Sequence, residues 1–117
     1  MAFKKKADVF VDTDNTYDIK ILINLSKELP VFNFDLTSIS LEDKNFIHWK
    51  LENVRDFIVH YIRVKNVDLN SPILVRSDGV IIDGYHRVIK AILSGEKNLP
   101  AKLIPKELLD EAILYDN

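Results

Sequence analysis

PILVRSDGVIIDGYHRVIKAILSGEKNLPAKLIP, residues 72–105, is the stretch on which the fold turns. Two apolar runs, Ile73-Leu74-Val75-Arg76 and Val80-Ile81-Ile82-Asp83, flank Ser77-Asp78-Gly79. Asp-Gly between runs rich in β-branched residues is a strong hairpin signal. Gly84 follows where the second strand must give way to a helix, a place where the backbone often needs a φ that only glycine adopts freely. The apolar spacing then predicts a helix from about 85 to 93, a stop at Gly95 and a final strand over 101–104. Tyr85, His86 and Arg87 fall in the first turn of that helix. Its N–H groups lack intrahelical partners, and its dipole favours an anion. Arg87 offers a planar fork suited to phosphate oxygens, and His86 a donor whose charge follows pH. The same residues also read as a structural elbow, with Asp83 capping the helix and Arg87 pairing with it.

Outward from this stretch, residues 53–65 read as a helix with Val54, Phe57, Ile58, Tyr61 and Val64 on one face. Arg55, Asp56, His60 and Arg63 share the opposite side. They form either a solvated face or the wall of a pocket, with Arg55 and His60 ranked ahead of Arg63. Asp68, just before the hairpin, is placed either to cap a turn or to face the site. Further upstream, 31–36 alternates as a strand with one buried face. Residues 17–29 read as a helix ended by Pro30, and 8–12 as a short strand. Ile47-His48-Trp49 is expected against the core, the alternative being an aromatic lip over a ligand. Glu42 and Asp43 are adjacent acids in a connector, normally solvated but placed where a catalytic base can sit. Downstream, 106–115 reads as a helix that covers a sheet edge or makes a homodimer contact. The expected fold is therefore α+β, a small mixed twisted sheet with flanking helices. Its core should hold Leu22, Leu25, Phe34, Phe57, Ile58, Tyr61, Ile73, Val75, Ile81, Val88, Ile89, Ile92, Leu103 and Ile113.

Asp83-Gly84-Tyr85-His86-Arg87, after an apolar strand with a D-G turn and before an amphipathic helix and a Pro-bounded strand, resembles the ParB/sulfiredoxin superfamily. The likeness runs over about 29–104 and includes the order of strand, turn, strand, motif, helix and strand. It implies a nucleotide (ATP, ADP or CTP), with or without Mg²⁺, bound through its phosphates by Gly84, Tyr85, His86 and Arg87. Arg55 and His60 are second-rank ligands, Asp83 and His86 the catalytic candidates, and Asp68 or Asp83 a metal carboxylate. Tyr85 stands where sulfiredoxins carry their nucleophilic cysteine, so their sulfur chemistry is not expected. ParB clamps have G-E-R-R here and a helix-turn-helix domain beyond it, and Tyr85 and His86 depart from that pattern. Free-serine kinases of the superfamily have D-G-x-H-R and match better, although the equivalent of their carboxylate base is not identifiable. Three functions follow as expectations. They are a nucleotide-dependent phosphotransferase or triphosphatase acting on a small-molecule or protein acceptor, a non-catalytic nucleotide-binding or interaction module of phage or mobile-element type, and a DNA-acting nuclease.

Composition narrows these. A chain of 117 residues suits one domain over 1–117. The net charge of −2 provides no global basic field for nucleic acid, which disfavours DNA as a partner. There is no cysteine, so disulfides, thiolate metal sites and cysteine nucleophiles are excluded together. His48, His60 and His86 lack the spacing of a zinc site. Lys4-Lys5-Lys6 is not followed by a long apolar run, so neither a signal peptide nor a membrane span is expected, and a cytoplasmic protein is.

Overall fold

The computed structural model describes residues 8–43 and 51–117. In chain order the elements are β1 (Val9–Val11), β2 (Asn15–Asp18), α1 (Ile19–Leu25), β3 (Val31–Asp35), a 3-10 turn (Leu36–Ser38), α2 (Val54–Asn66), β4 (Ile73–Arg76), β5 (Ile81–Asp83), α3 (Tyr85–Leu93), β6 (Asn98–Ile104), α4 (Lys106–Glu111) and β7 (Ile113–Asp116). They build a small mixed α+β domain with two sheets. No helix among the described residues is long and apolar enough to cross a membrane.

The hairpin forms where Asp78-Gly79 predicts it. Arg76 N–H donates to Val80 O at 2.8 Å, and Gly79 takes φ +90°. The central sheet has the order β3-β6-β4-β5, with β4 and β6 parallel and the other pairs antiparallel. Alternation along the strands sends side chains to both faces. Ile73, Val75, Ile81, Leu99 and Ala101 pack with Val88 and Ala91 of α3. Leu74, Ile82 and Ile104 point the other way, into a cluster with Phe10, Tyr17, Leu22, Leu109 and Ala112. That second cluster lies beneath the small antiparallel sheet β1-β2-β7 and helices α1 and α4.

The small sheet corrects two expected boundaries. The helix expected over 17–29 starts at Ile19, because Asn15–Asp18 pairs with both β1 and β7. Asp18 is its N-cap, accepting from Lys20 N–H at 2.8 Å. It ends at Leu25, where Lys102 Nζ donates to the carbonyls of Ser26 and Lys27 at 3.0 and 3.1 Å. The helix expected over 106–115 stops at Glu111, and 113–116 becomes a strand on β2. Ile113 is consequently exposed, as is Leu103 near the end of β6.

Helix α2 departs furthest from expectation. Asn53 caps it by accepting from Asp56 N–H at 3.0 Å. Val64 is its one buried residue, while Phe57, Ile58 and Tyr61, expected in the core, are exposed. The helix instead turns its His60 side to α3. Lys90 of α3 donates to the carbonyls of Lys65 and Val67 at 3.0 and 2.8 Å, satisfying the last turn of α2. Polar groups, not the apolar stripe, fasten this helix to the body.

Candidate functional site

Gly84 sets the geometry of the site. Its φ of +110° lies in the left-handed region, and a Cβ there would stand 2.8 Å from Ile73 Cβ and closer still to Ile73 Cγ2. Only a glycine lets the backbone lie against β4 while β5 turns into α3. Gly84 is also the N-cap, so the first turn of α3 carries no side-chain cap. Asp83 therefore does not cap the helix in the manner of Asp18 or Asn53. It accepts from Arg87 Nη2 at 3.2 Å, while Arg87 Nη1 donates to the carbonyls of Ser71 and Pro72 at 2.9 and 2.6 Å. Burial pushes the Asp83 carboxyl up and Arg87 opposes it, with Asp8 adding a further upward push. Arg87 thus ties the start of α3 to the chain entering β4.

His60 of α2 and His86 of α3 meet beside this turn. His60 Nδ1 lies 2.8 Å from His86 Nε2, and the rings are nearly parallel at 11°. One nitrogen must donate and the other accept, so this contact holds one proton, not two. Burial pushes His86 down to about 4, with the charges of His60, Arg63 and Arg87 acting in the same direction. His60 is lowered by burial and then by Arg63, against a smaller opposing pull from Asp56. Both imidazoles are therefore neutral near pH 7, in a field made positive by two arginines and a helix N-terminus.

Tyr85 leaves this cluster on another side of α3. Its hydroxyl donates to Ile81 O, and burial, followed by the charge of Asp83, pushes it up to about 12. The phenol stays protonated and anchored. Its ring lines a cavity of about 680 Å³ together with Phe10, Asp12, Phe34, Asp43, Arg76 and Asp78. Arg76 holds Asp78 through two bonds at 2.7 and 2.8 Å and stands 3.6 Å from Asp12. Burial raises Asp12, but the Asn15 and Asp14 N–H groups, the Tyr17 hydroxyl and Arg76 together outweigh it and hold that carboxyl low.

The other candidates scatter. Arg55 is exposed on α2. Asp68 is exposed and accepts from Asn70 N–H at 2.9 Å, a turn contact. Glu42 is exposed, and Asp43 borders the cavity, which His86 does not line. His48 and Trp49 lie outside the described residues. Among the described residues no three acidic or histidine side chains gather in a way that could hold a metal ion. Sequence reasoning ranked Arg63 behind Arg55, yet Arg63 is the residue whose charge reaches both histidines. The i, i+3 spacing of His60 and Arg63 was the available signal. Asp8, whose charge reaches Asp83 and His86, had no signal at all.

Comparison of the chain with protein-family models, with curated proteins and with solved structures finds no match.

Proposed function

We propose that this chain is a nucleotide-phosphate-binding domain of ParB/sulfiredoxin type, with its phosphate site beside the His60–His86 pair at the first turn of α3. The observation that carries the reading is the 2.8 Å contact between these two histidines beside an uncapped helix N-terminus. Two neutral imidazoles held in a positive field are poised for an anion. A phosphate there would offset the charges of Arg63 and Arg87, raise both histidine pKa values and take up a proton on binding. His86 and His60 then donate to phosphate oxygens, Arg63 supplies charge, and the first-turn N–H groups add backbone donors. Arg87 and Asp83 brace the elbow from behind. Any Mg²⁺ would enter on the nucleotide, because Asp83 is engaged by Arg87 and Asp68 by a backbone N–H. The element order around Gly84 supports the family assignment.

The test is calorimetric titration with ATP, ADP and CTP, with and without Mg²⁺, at neutral and mildly acidic pH. Binding should tighten as the pH falls and be accompanied by proton uptake. His86→Ala should weaken it by roughly 10- to 100-fold, the worth of a charge-assisted contact, with a small fall in melting temperature from the lost contact to His60. Arg87→Ala should lower the melting temperature. Nucleotide affinity indifferent to both His86→Ala and His60→Ala would sink the assignment. Turnover of the bound nucleotide marks a phosphotransferase or triphosphatase, and binding without turnover marks a non-catalytic module. DNA cleavage with no nucleotide effect would favour the nuclease reading instead.

A further inference from the structure

The chain contains two Asp-Gly steps, Asp78-Gly79 and Asp83-Gly84. Such a step is chemically weak. When the aspartyl side chain is protonated, the backbone nitrogen of the glycine can attack its carboxyl carbon. A Cγ–N bond forms, the carboxyl hydroxyl and the amide hydrogen leave as water, and a succinimide ring results. Water then reopens the ring. Opening at the main-chain carbonyl leaves the chain running through the side-chain carbon, an isoaspartyl linkage with an added methylene in the backbone and a free α-carboxylate. Glycine permits this closure best, because it has no Cβ to obstruct the ring and its backbone turns freely.

The structure separates the two steps. Asp83 pairs with Leu74 in the sheet and with Arg87, while Gly84 is buried hard against Ile73 and starts α3. Ring closure there would have to break the end of β5 and the first turn of the helix together. Asp78 and Gly79 instead sit exposed at the tip of the hairpin, with open space around the Gly79 α-carbon. What restrains this step is Arg76. Its Nε and Nη2 donate to the two oxygens of Asp78 at 2.8 and 2.7 Å. That fork holds the carboxyl low and ionised, the form that cannot release a hydroxyl to the attacking nitrogen. It also fixes the carboxyl plane. The hydrogen that the Gly79 nitrogen must lose is committed to Arg76 O at 2.9 Å. Arg76 is steadied in turn by Asp12 at 3.6 Å and by the Phe10 ring, 6.0 Å from its centroid.

We propose that Asp78-Gly79 is the step at which this chain forms isoaspartate, and that the Arg76 fork is the device that slows it. Conversion lengthens the backbone between Arg76 and Val80, whose closing hydrogen bond spans 2.8 Å. It also draws the new carboxylate out of the fork, so the hairpin loses its register at the strand that leads into Gly84. The inference is independent of the phosphate site, since neither histidine takes part in it.

Ageing the full chain at neutral pH tests it. Isoaspartate is read at each step by peptide mapping and by methyl transfer from an isoaspartyl-specific methyltransferase to the freed α-carboxylate. The folded native chain should accumulate more isoaspartate at Asp78 than at Asp83. In urea the two steps should convert at comparable rates, and Asp78 faster than when folded. Arg76→Met keeps the stem and removes the fork, and should speed conversion of the folded chain at Asp78 by roughly 3- to 10-fold, the worth of an exposed charge-assisted pair. Asp83 is the internal control, because a variant that merely loosened the fold would speed both steps together. Equal acceleration at both steps overturns the role of Arg76, as does an unchanged rate at Asp78. A folded chain that converts Asp83 as fast as Asp78 overturns the site, as does an Arg76→Met chain with no isoaspartate at Asp78.

Discussion

Gly84 carries two constraints that the sequence could only half announce. Its place between strand and helix suggested a special backbone conformation, and φ is +110°. The second constraint is contact, since any Cβ would run into the Ile73 side chain at the start of β4. Ile73 is fully buried, so it has nowhere to move. Gly84→Ala should therefore cost more than the strain of a positive φ alone, about 3 kcal/mol or more. Urea denaturation checks this, and a loss below about 1 kcal/mol would show that the elbow is soft. Arg87 at the same scale shows how a motif residue divides between roles. Its fork is aimed at two backbone carbonyls and a carboxylate of its own chain, so the stabilising half of its sequence reading is what the geometry displays. The histidine beside it meets His60 of α2 instead.

At the scale of the element, α2 is held by what it offers α3 and not by its apolar moment. Lys90 is the fastener: its ammonium satisfies two carbonyls at the C-terminus of α2. Lys90→Met keeps the stem and removes the donors. Amide hydrogen exchange in the last turn of α2 should then quicken by roughly tenfold, the worth of about one hydrogen bond. Exchange rates unchanged there would mean that Val64 and the histidine contact hold the helix without Lys90. The same element explains where sequence reading succeeds. The D-G hairpin, the Gly84 elbow and α3 were legible because turn chemistry and periodicity act locally. The orientation of α2 was not, because a 3.6-residue period gives a face but not its partner. Which side turns inward depended on His86 and Lys90, more than twenty residues away in sequence. Strand β7 was hidden for a related reason. Leu108, Leu109, Ala112 and Ile113 continue a helical stripe, and only pairing with β2 makes 113–116 extended. His60 was legible as a candidate from its position on the polar side, whereas its contact with His86 needed the fold.

At the scale of the whole molecule, the histidine pair links stability to pH. An unfolded chain binds a proton on His86 near pH 6.5, while the folded chain holds it neutral down to about pH 4. Above pH 6.5 neither state binds that proton, and its contribution to stability is fully present. As the pH falls from 6.5 toward 4 the unfolded state takes up the proton and the folded state does not, so stability declines across that window. Below about 4 both states are protonated and the decline from this group ends. At about 1.4 kcal/mol per unit the gap sets a ceiling of roughly 3 kcal/mol, and solvent at the open edge of the pair reduces it to about 1–2 kcal/mol. His60 is lowered in the same direction, but the two share one hydrogen bond and titrate as a pair, so their effects do not simply add. Asp83 works in the opposite sense. Its raised carboxyl favours the folded state as the pH approaches the acid range, and so blunts the lower end of the window. Asp12 and Asp78, both held low, act below it. Urea midpoints measured from neutral pH down to the acid edge should fall for the native chain. His86→Gln removes the titrating group while keeping a polar side chain against His60, and its midpoints should fall less steeply over the same range. Parallel curves for the two proteins would show that His86 takes up its proton in the folded state as readily as in the unfolded one. The depressed histidine pair would then be lost as the basis for proton uptake on phosphate binding.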